Sequence, residues 1–273
     1  MRKLLIIVLL ISNQFCFSQK WERKFGITNR RETFRNLNET YDGGYLILGS
    51  YHFFPDTRGW IIKTDINGYP LYEITIGGPG TGLGNLNYPG YIEPTADGGF
   101  IVCGSHDRYT VNDIGITKHN ACGDLEWCKV FRTDGQPDWG TEIQQLNDGG
   151  YVMLTQGYQA STNNPRIHLF RLNHLGEALW IEPYATTTNN PYIGYNQPYD
   201  LVITPDEDFF ISGLCYWCED TAGTGGVNNE CRLKAMAILA DSNKQEQWVS
   251  AFQYEDTLAY SMAGWSTQKG SGN

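Results

Sequence analysis

The stretch ADGGFIVCGS, residues 96–105, decides the fold, because the chain writes it more than once. Near copies stand at 41–50 (YDGGYLILGS) and 147–157 (NDGGYVMLTQG), and an altered one, PDEDFFISG, at 205–213. Asp-Gly-Gly supplies residues that tolerate positive φ, so it predicts a tight hairpin turn. The run after the turn (YLIL, FIVC, YVML, FFIS) does not alternate polar with apolar. A continuous apolar run predicts a strand covered on both faces.

A second phrase follows each first one: KTDINGYPLY (63–72), KHNACGDLEW (118–127), RLNHLGEALW (171–180) and ADSNKQEQW (240–248). Gly68, Gly123 and Gly176 each precede the last aromatic by four residues, and Lys244 stands in that place in the fourth copy. A short strand before each turn, the buried run, a third strand such as WIIKT and an outer strand such as WCKVF make four strands per unit. Units centred on Asp42, Asp97, Asp148 and Asp206 recur about every fifty residues, the size of a β-propeller blade. The expected fold is all-β: a propeller over residues 19–273 with four full repeats and the start of a fifth at 254–273. Residues 20–26 (KWERKFG) match the outer strands at 127–131 and 248–252. The ring is therefore expected to be incomplete, part of one of six to eight blades that closes through this terminal strand.

The chain has 273 residues, 41% hydrophobic and 18% charged, with 31 glycines and a net charge of −10. That acidity argues against a nucleic-acid partner, which needs a basic surface, and against charge-driven binding to anionic membranes. Residues 1–18 read as a signal peptide. Arg2 and Lys3 precede an apolar run at 4–11 too short to span a bilayer, and Cys16 and Ser18 are small residues before a cut at Gln19. The expected location is secreted or on the outer cell surface, without membrane insertion after cleavage.

The pattern D-G-G-[YF]-[IVL]-x-x-G followed by K-x-D-x-x-G-x-x-x-W resembles secreted bacterial proteins with tandem propeller repeats, and the layout is similar to kelch repeats. The resemblance implies a repeat scaffold and is nearly silent on activity. TDINGYPLY has the wrong spacing for the Asp-box of sialidases, so that activity is not implied.

Both repeated phrases are turns on one face of the ring, and the loops on the other face vary between units. Variable loops on a rigid scaffold are where recognition residues gather. Tyr88, Trp139, Tyr192, Tyr195 and Trp217 lie there and form the candidate ligand-binding set, suited to a glycan or an extended peptide. Carboxylates on the same loops (Asp107, Asp113, Asp138, Glu219, Asp220) are scattered, and no G-x-S-x-G, P-loop or metal-ligand spacing occurs. No cofactor or metal is expected. His119 and His174 fall in turns and read as solvated. In an exported chain, Cys218 with Cys231 and Cys122 with Cys128 are candidate disulfides. The reading that follows is an exported, non-enzymatic binding or adhesion module for an extracellular glycan or protein. The alternatives are a polysaccharide-active hydrolase or lyase on a propeller scaffold, and a structural spacer of a larger cell-surface protein.

Overall fold

The computed structural model describes residues 22–26, 28–53, 56–77, 86–108, 111–131, 138–159, 164–184, 196–219 and 230–252. The signal-peptide reading at 1–18 and the partial unit at 254–273 lie outside them. Sixteen strands form four antiparallel sheets, each in chain order. Blade 1 holds β1 (Glu32–Glu39), β2 (Tyr45–Phe53), β3 (Asp56–Thr64) and β4 (Pro70–Ile76). Blade 2 holds β5 (Leu86–Pro94), β6 (Phe100–Arg108), β7 (Val111–His119) and β8 (Leu125–Phe131). Blade 3 holds β9 (Trp139–Gln145), β10 (Tyr151–Gln159), β11 (Asn164–Leu172) and β12 (Ala178–Tyr184). Blade 4 holds β13 (Asn196–Ile203), β14 (Phe209–Glu219), β15 (Glu230–Ala240) and β16 (Glu246–Phe252). Among the described residues there is no helix. The fold is a β-propeller whose ring is not closed: blades pack in sequence through the inner strands β1, β5, β9 and β13.

The two glycines of each Asp-Gly-Gly turn serve different needs. The first takes positive φ, 75° at Gly43, 84° at Gly98 and 82° at Gly149, and Glu207 holds the same place at 61°. A side chain there is strained. Glu207→Gly is expected to raise stability by about 0.5–1 kcal/mol net of glycine's extra chain entropy, read as a higher urea midpoint. The second glycine leaves no room for a side chain. A Cβ on Gly44, Gly99 or Gly150 would stand 2.1, 2.2 or 2.5 Å from the carbonyl oxygen of Thr64, His119 or Leu172.

A buried cation explains that crowding. Lys63 Nζ lies 2.9 Å from Asp42, and Lys118 Nζ lies 2.8 Å from Asp97 and 2.9 Å from Glu126. Arg171 pairs with Asp148 in the same way. Each cation also donates to the carbonyl of the next residue, Thr64, His119 or Leu172. Each aspartate in turn accepts the N–H of the second glycine. The Thr40 hydroxyl and Lys63 hold the Asp42 carboxyl down at about 2. Asp97 stays at about 2 although partial burial pushes upward, because Lys118, Thr95 and the Gly99 N–H favour its charged form. In blade 4 the cation position is Leu239, so the clamp is absent and Asp208 can replace the second glycine. The worn fourth phrase thus records a lost ion pair.

The core lies between blades. Leu46, Leu48 and Ile61 of blade 1 meet Ile92, Phe100 and Val102 of blade 2. Ile101, Cys103 and Ile116 then meet Tyr151, Met153 and Phe170, and Val152, Leu154 and Leu169 meet Leu201, Ile211 and Ile238. The runs after the turns are apolar throughout because a blade covers each face.

Candidate active site

The inner strands carry a row of polar side chains on the side turned to the next blade. Six residues before each turn aspartate stand Asn36, Tyr91, Glu142 and Asp200, and four before stand Asn38, Glu93, Gln144 and Val202. Adjacent inner strands do not share a backbone ladder, and these side chains bridge them instead. Asn38 Nδ2 donates to the Ile92 carbonyl at 2.5 Å, and the Ile92 N–H donates to Asn36 Oδ1 at 3.4 Å. Two blades on, Gln144 Nε2 donates to the Leu201 carbonyl at 2.6 Å and the Leu201 N–H donates to Glu142 Oε2 at 2.8 Å.

Glu93 breaks the pattern. It holds the position of Asn38 and Gln144, but it accepts a hydrogen bond from Asn38 Nδ2 at 3.3 Å on the strand behind, and among the described residues it bridges to no strand ahead. Burial pushes its carboxyl up to about 8. Glu142, 2% exposed, is likewise raised to about 8, by burial first and then by the charge of Asp200, whose carboxyl it hydrogen-bonds. Tyr91 lies among all three: burial, then Glu142, Glu93 and Asp200, push its phenol far upward. Glu142 thus holds its proton against Asp200 across β9 and β13, and Glu93 holds one on β5, with Tyr91 in the field of all three. A protonated carboxyl can act as a general acid, and a carboxylate beside it as base or nucleophile.

The sequence-predicted residues fare differently. Trp139 is half-buried at the start of β9 with its backbone opposite Gln156. Tyr88 pairs with Ser105 and Trp217 with Arg232, and all three lie at strand ends away from the Asp-Gly-Gly turns. Tyr192, Tyr195 and Asp220 lie outside the described residues. Asp113 and Asp138, expected on loops, are buried at 6% and 1% exposure. His119 is not solvated: it is 4% exposed, stacks on Phe100 at 4.8 Å, and its Nδ1 lies 3.0 Å from the Gly123 carbonyl. Cys122 and Cys128 are not joined. Neither is in a disulfide: Cys122 is exposed on its turn and Cys128 is half-buried on β8 opposite Thr117. Cys218 and Cys231 stand directly opposite each other across β14 and β15. Among the described residues no group of three His, Cys, Asp or Glu side chains is placed to hold a metal ion.

No protein-family model and no curated protein matches the chain. Among solved structures it is similar to a provisionally assigned exo-β-1,3-galactanase from Bifidobacterium bifidum s17, at 12% identity and a TM-score of 0.47, covering 80% of this chain and 70% of that one. It is also similar to a glycosyl hydrolase from Bacteroides ovatus (13%, 0.44, 80% and 70%) and to a mannose phosphorylase from Leishmania mexicana (13%, 0.43, 83% and 69%). The likeness is one of chain path, and no residue role is carried over from it. The expectation of a non-enzymatic binding module is corrected here. It rested on the lack of a visible catalytic constellation, whereas the inner strands carry Glu93 and Glu142, both raised to about 8, with Glu142 hydrogen-bonded to Asp200.

Proposed function

We propose that the protein is a carbohydrate-active enzyme that cleaves glycosidic bonds with carboxyl groups on its inner strands. The observation that carries this reading is Glu93, a half-buried, proton-holding carboxyl free of the bridging work its equivalents do, one inner strand before Glu142, which hydrogen-bonds Asp200. In this reading Glu93 donates the proton to the departing glycosidic oxygen. Asp200 attacks the sugar or activates water, and Glu142 fixes Asp200 by sharing a proton with it. Trp139, with Tyr88, Tyr192, Tyr195 and Trp217, would offer sugar rings an aromatic rim.

A panel of plant and microbial polysaccharides, followed by reducing-end release, tests this. Glu93→Gln is expected to lower kcat at least about a hundredfold with an unchanged circular dichroism spectrum. The wild-type rate is expected to fall on an alkaline limb near pH 8, where Glu93 loses its proton. Trp139→Ala is expected to raise KM more than it lowers kcat. Full activity in Glu93→Gln would end this assignment.

Export through residues 1–18 fits a polysaccharide substrate outside the cell, and it would let Cys218 and Cys231 form a disulfide. Antiparallel partners have Cα atoms about 4.5–5.5 Å apart, within the range a disulfide spans. Non-reducing peptide mapping of secreted protein is expected to find a 218–231 cross-link. Recovery of both as free thiols would remove it.

A further inference from the structure

One side chain of the polar row meets three consecutive residues of the next inner strand. Asn36 and Asn38 alternate with Leu37 on β1, so both project to the same side, toward β5. The Asn38 amide nitrogen donates to the Ile92 carbonyl at 2.5 Å and to Glu93 Oε2 at 3.3 Å, and the amide also hydrogen-bonds the Tyr91 phenol. Asn36 Oδ1, 3.3 Å away, is a further acceptor for the same nitrogen.

The neighbours fix which way round that amide lies. The Ile92 carbonyl can only accept, so turning the amide over would set two acceptors 2.5 Å apart. A donor therefore faces Oε2 of Glu93. In a protonated carboxyl one oxygen is a hydroxyl and the other a carbonyl, and a donor aimed at one favours the proton on the other. In blade 3 the equivalent Gln144 makes the same bridge to the Leu201 carbonyl at 2.6 Å, but the carboxyl its nitrogen meets at 2.7 Å is Glu142 of its own strand.

We propose that Asn38 is a positioning residue that places the Glu93 proton on Oε1 and holds Oε2 as the carboxyl gives that proton up. The role in turnover rests on Glu93 being the general acid proposed above; the place of the proton does not. In that step the O–H bond on Oε1 breaks and the proton passes to the glycosidic oxygen. That oxygen leaves with the electron pair of its bond to the sugar carbon, and Asp200 or the water it activates bonds to the carbon. The charge that develops on Glu93 spreads over both oxygens, so the Asn38 hydrogen bond strengthens as the proton leaves. An interaction that strengthens along the reaction raises kcat rather than substrate binding.

Asn38→Leu keeps the shape of the side chain and removes the donor. Carbon-13 NMR of the full chain, with Glu93 assigned by the signal missing in Glu93→Gln, follows the carboxyl from its wild-type midpoint at about 8. Without the donor the carboxylate is less favoured, and the midpoint is expected to rise. A strand that had merely loosened would admit water and move it down toward the ordinary 4.5. In the infrared, the carbonyl stretch of protonated Glu93 is expected at the frequency of a hydrogen-bonded carbonyl in the wild type, a check that needs no Asn38 variant, and higher in Asn38→Leu. Asn38→Gln, the side chain that makes this bridge in blade 3, is expected to restore both readings. On the polysaccharide that is cleaved, Asn38→Leu is expected to lower kcat about tenfold and to change KM less than about twofold. A wild-type midpoint near 4.5, a midpoint unchanged or lowered in Asn38→Leu, or a carbonyl stretch at the free frequency in the wild type would overturn the placement of the proton. A raised midpoint with unchanged kcat would overturn the role in turnover. Full activity of Glu93→Gln would instead end the general-acid reading and leave the titration to decide the place of the proton.

Discussion

Gly99→Ala is expected to cost about 3 kcal/mol or more, a large effect for adding one methyl group. The added Cβ would sit 2.2 Å from the His119 carbonyl oxygen and 2.9 Å from Lys118 Nζ. The first is backbone on the third strand, and the second is a 3% exposed ammonium held by Asp97 and Glu126. Neither can withdraw without breaking the clamp and leaving a buried charge less well paired. Urea unfolding followed by tryptophan fluorescence measures the loss. As a control, Lys118→Met removes the ammonium, and in that background the Gly99→Ala penalty should shrink. A penalty below about 0.5 kcal/mol in the wild-type background would mean that the turn relaxes freely.

The second large effect is on pH. Glu93 and Glu142 bind protons up to about pH 8 in the folded chain, against 4.5 for an ordinary glutamate. The folded state therefore holds more protons than the unfolded state across that window. Stability from these groups is present in full below about pH 4.5 and is lost as pH rises through about 8. Together they amount to several kcal/mol. Asp42 and Asp97, at about 2, work in the other direction. Their contribution is present above the ordinary aspartate value and lost as pH falls toward 2, and it is small because both carboxylates are largely solvated. Urea midpoints are thus expected to peak at about pH 4–5 and to decline through pH 9. Glu142→Gln still accepts from the Leu201 N–H but cannot ionise, so it should flatten part of that decline. Equal midpoints at pH 5 and pH 9 would show that these carboxyls ionise without penalty.

The fold was legible in sequence because its signals are local and repeated. Asp-Gly-Gly marks each hairpin, and the runs YLIL, FIVC and YVML mark strands covered on both faces. Even Lys244, noted as standing where a glycine belongs, takes φ of 70°, as Gly68, Gly123 and Gly176 do at 75°, 89° and 74°. The clamp was less legible, since Lys63 and Asp42 are 21 residues apart, although a cation opens three of the second phrases. The carboxyl group was not seen. Glu93, Glu142 and Asp200 sit in the short strands before the turns, the least distinctive part of each unit, and the contact of Glu142 with Asp200 depends on stacking two blades. A comparison of the residues six and four before each turn aspartate would have found them, because Asn-x-Asn, Tyr-x-Glu and Glu-x-Gln, and the Asp of Asp-x-Val, are polar where an inner strand would otherwise be apolar.

The missing cation at Leu239 has a consequence for how the molecule comes apart. Among the described residues, blade 4 alone has no ion pair between its third strand and its first turn, and it carries two non-glycine residues at positive φ, Glu207 and Lys244. Its hairpins therefore have the least to lose by opening. Excursions that expose the chain briefly to a protease should begin there and stop at the blade 3 boundary, where Gln144 and Glu142 still grip Leu201. Nicking under native conditions would then proceed from the fourth repeat inward, one blade at a time, rather than by collapse of the whole array.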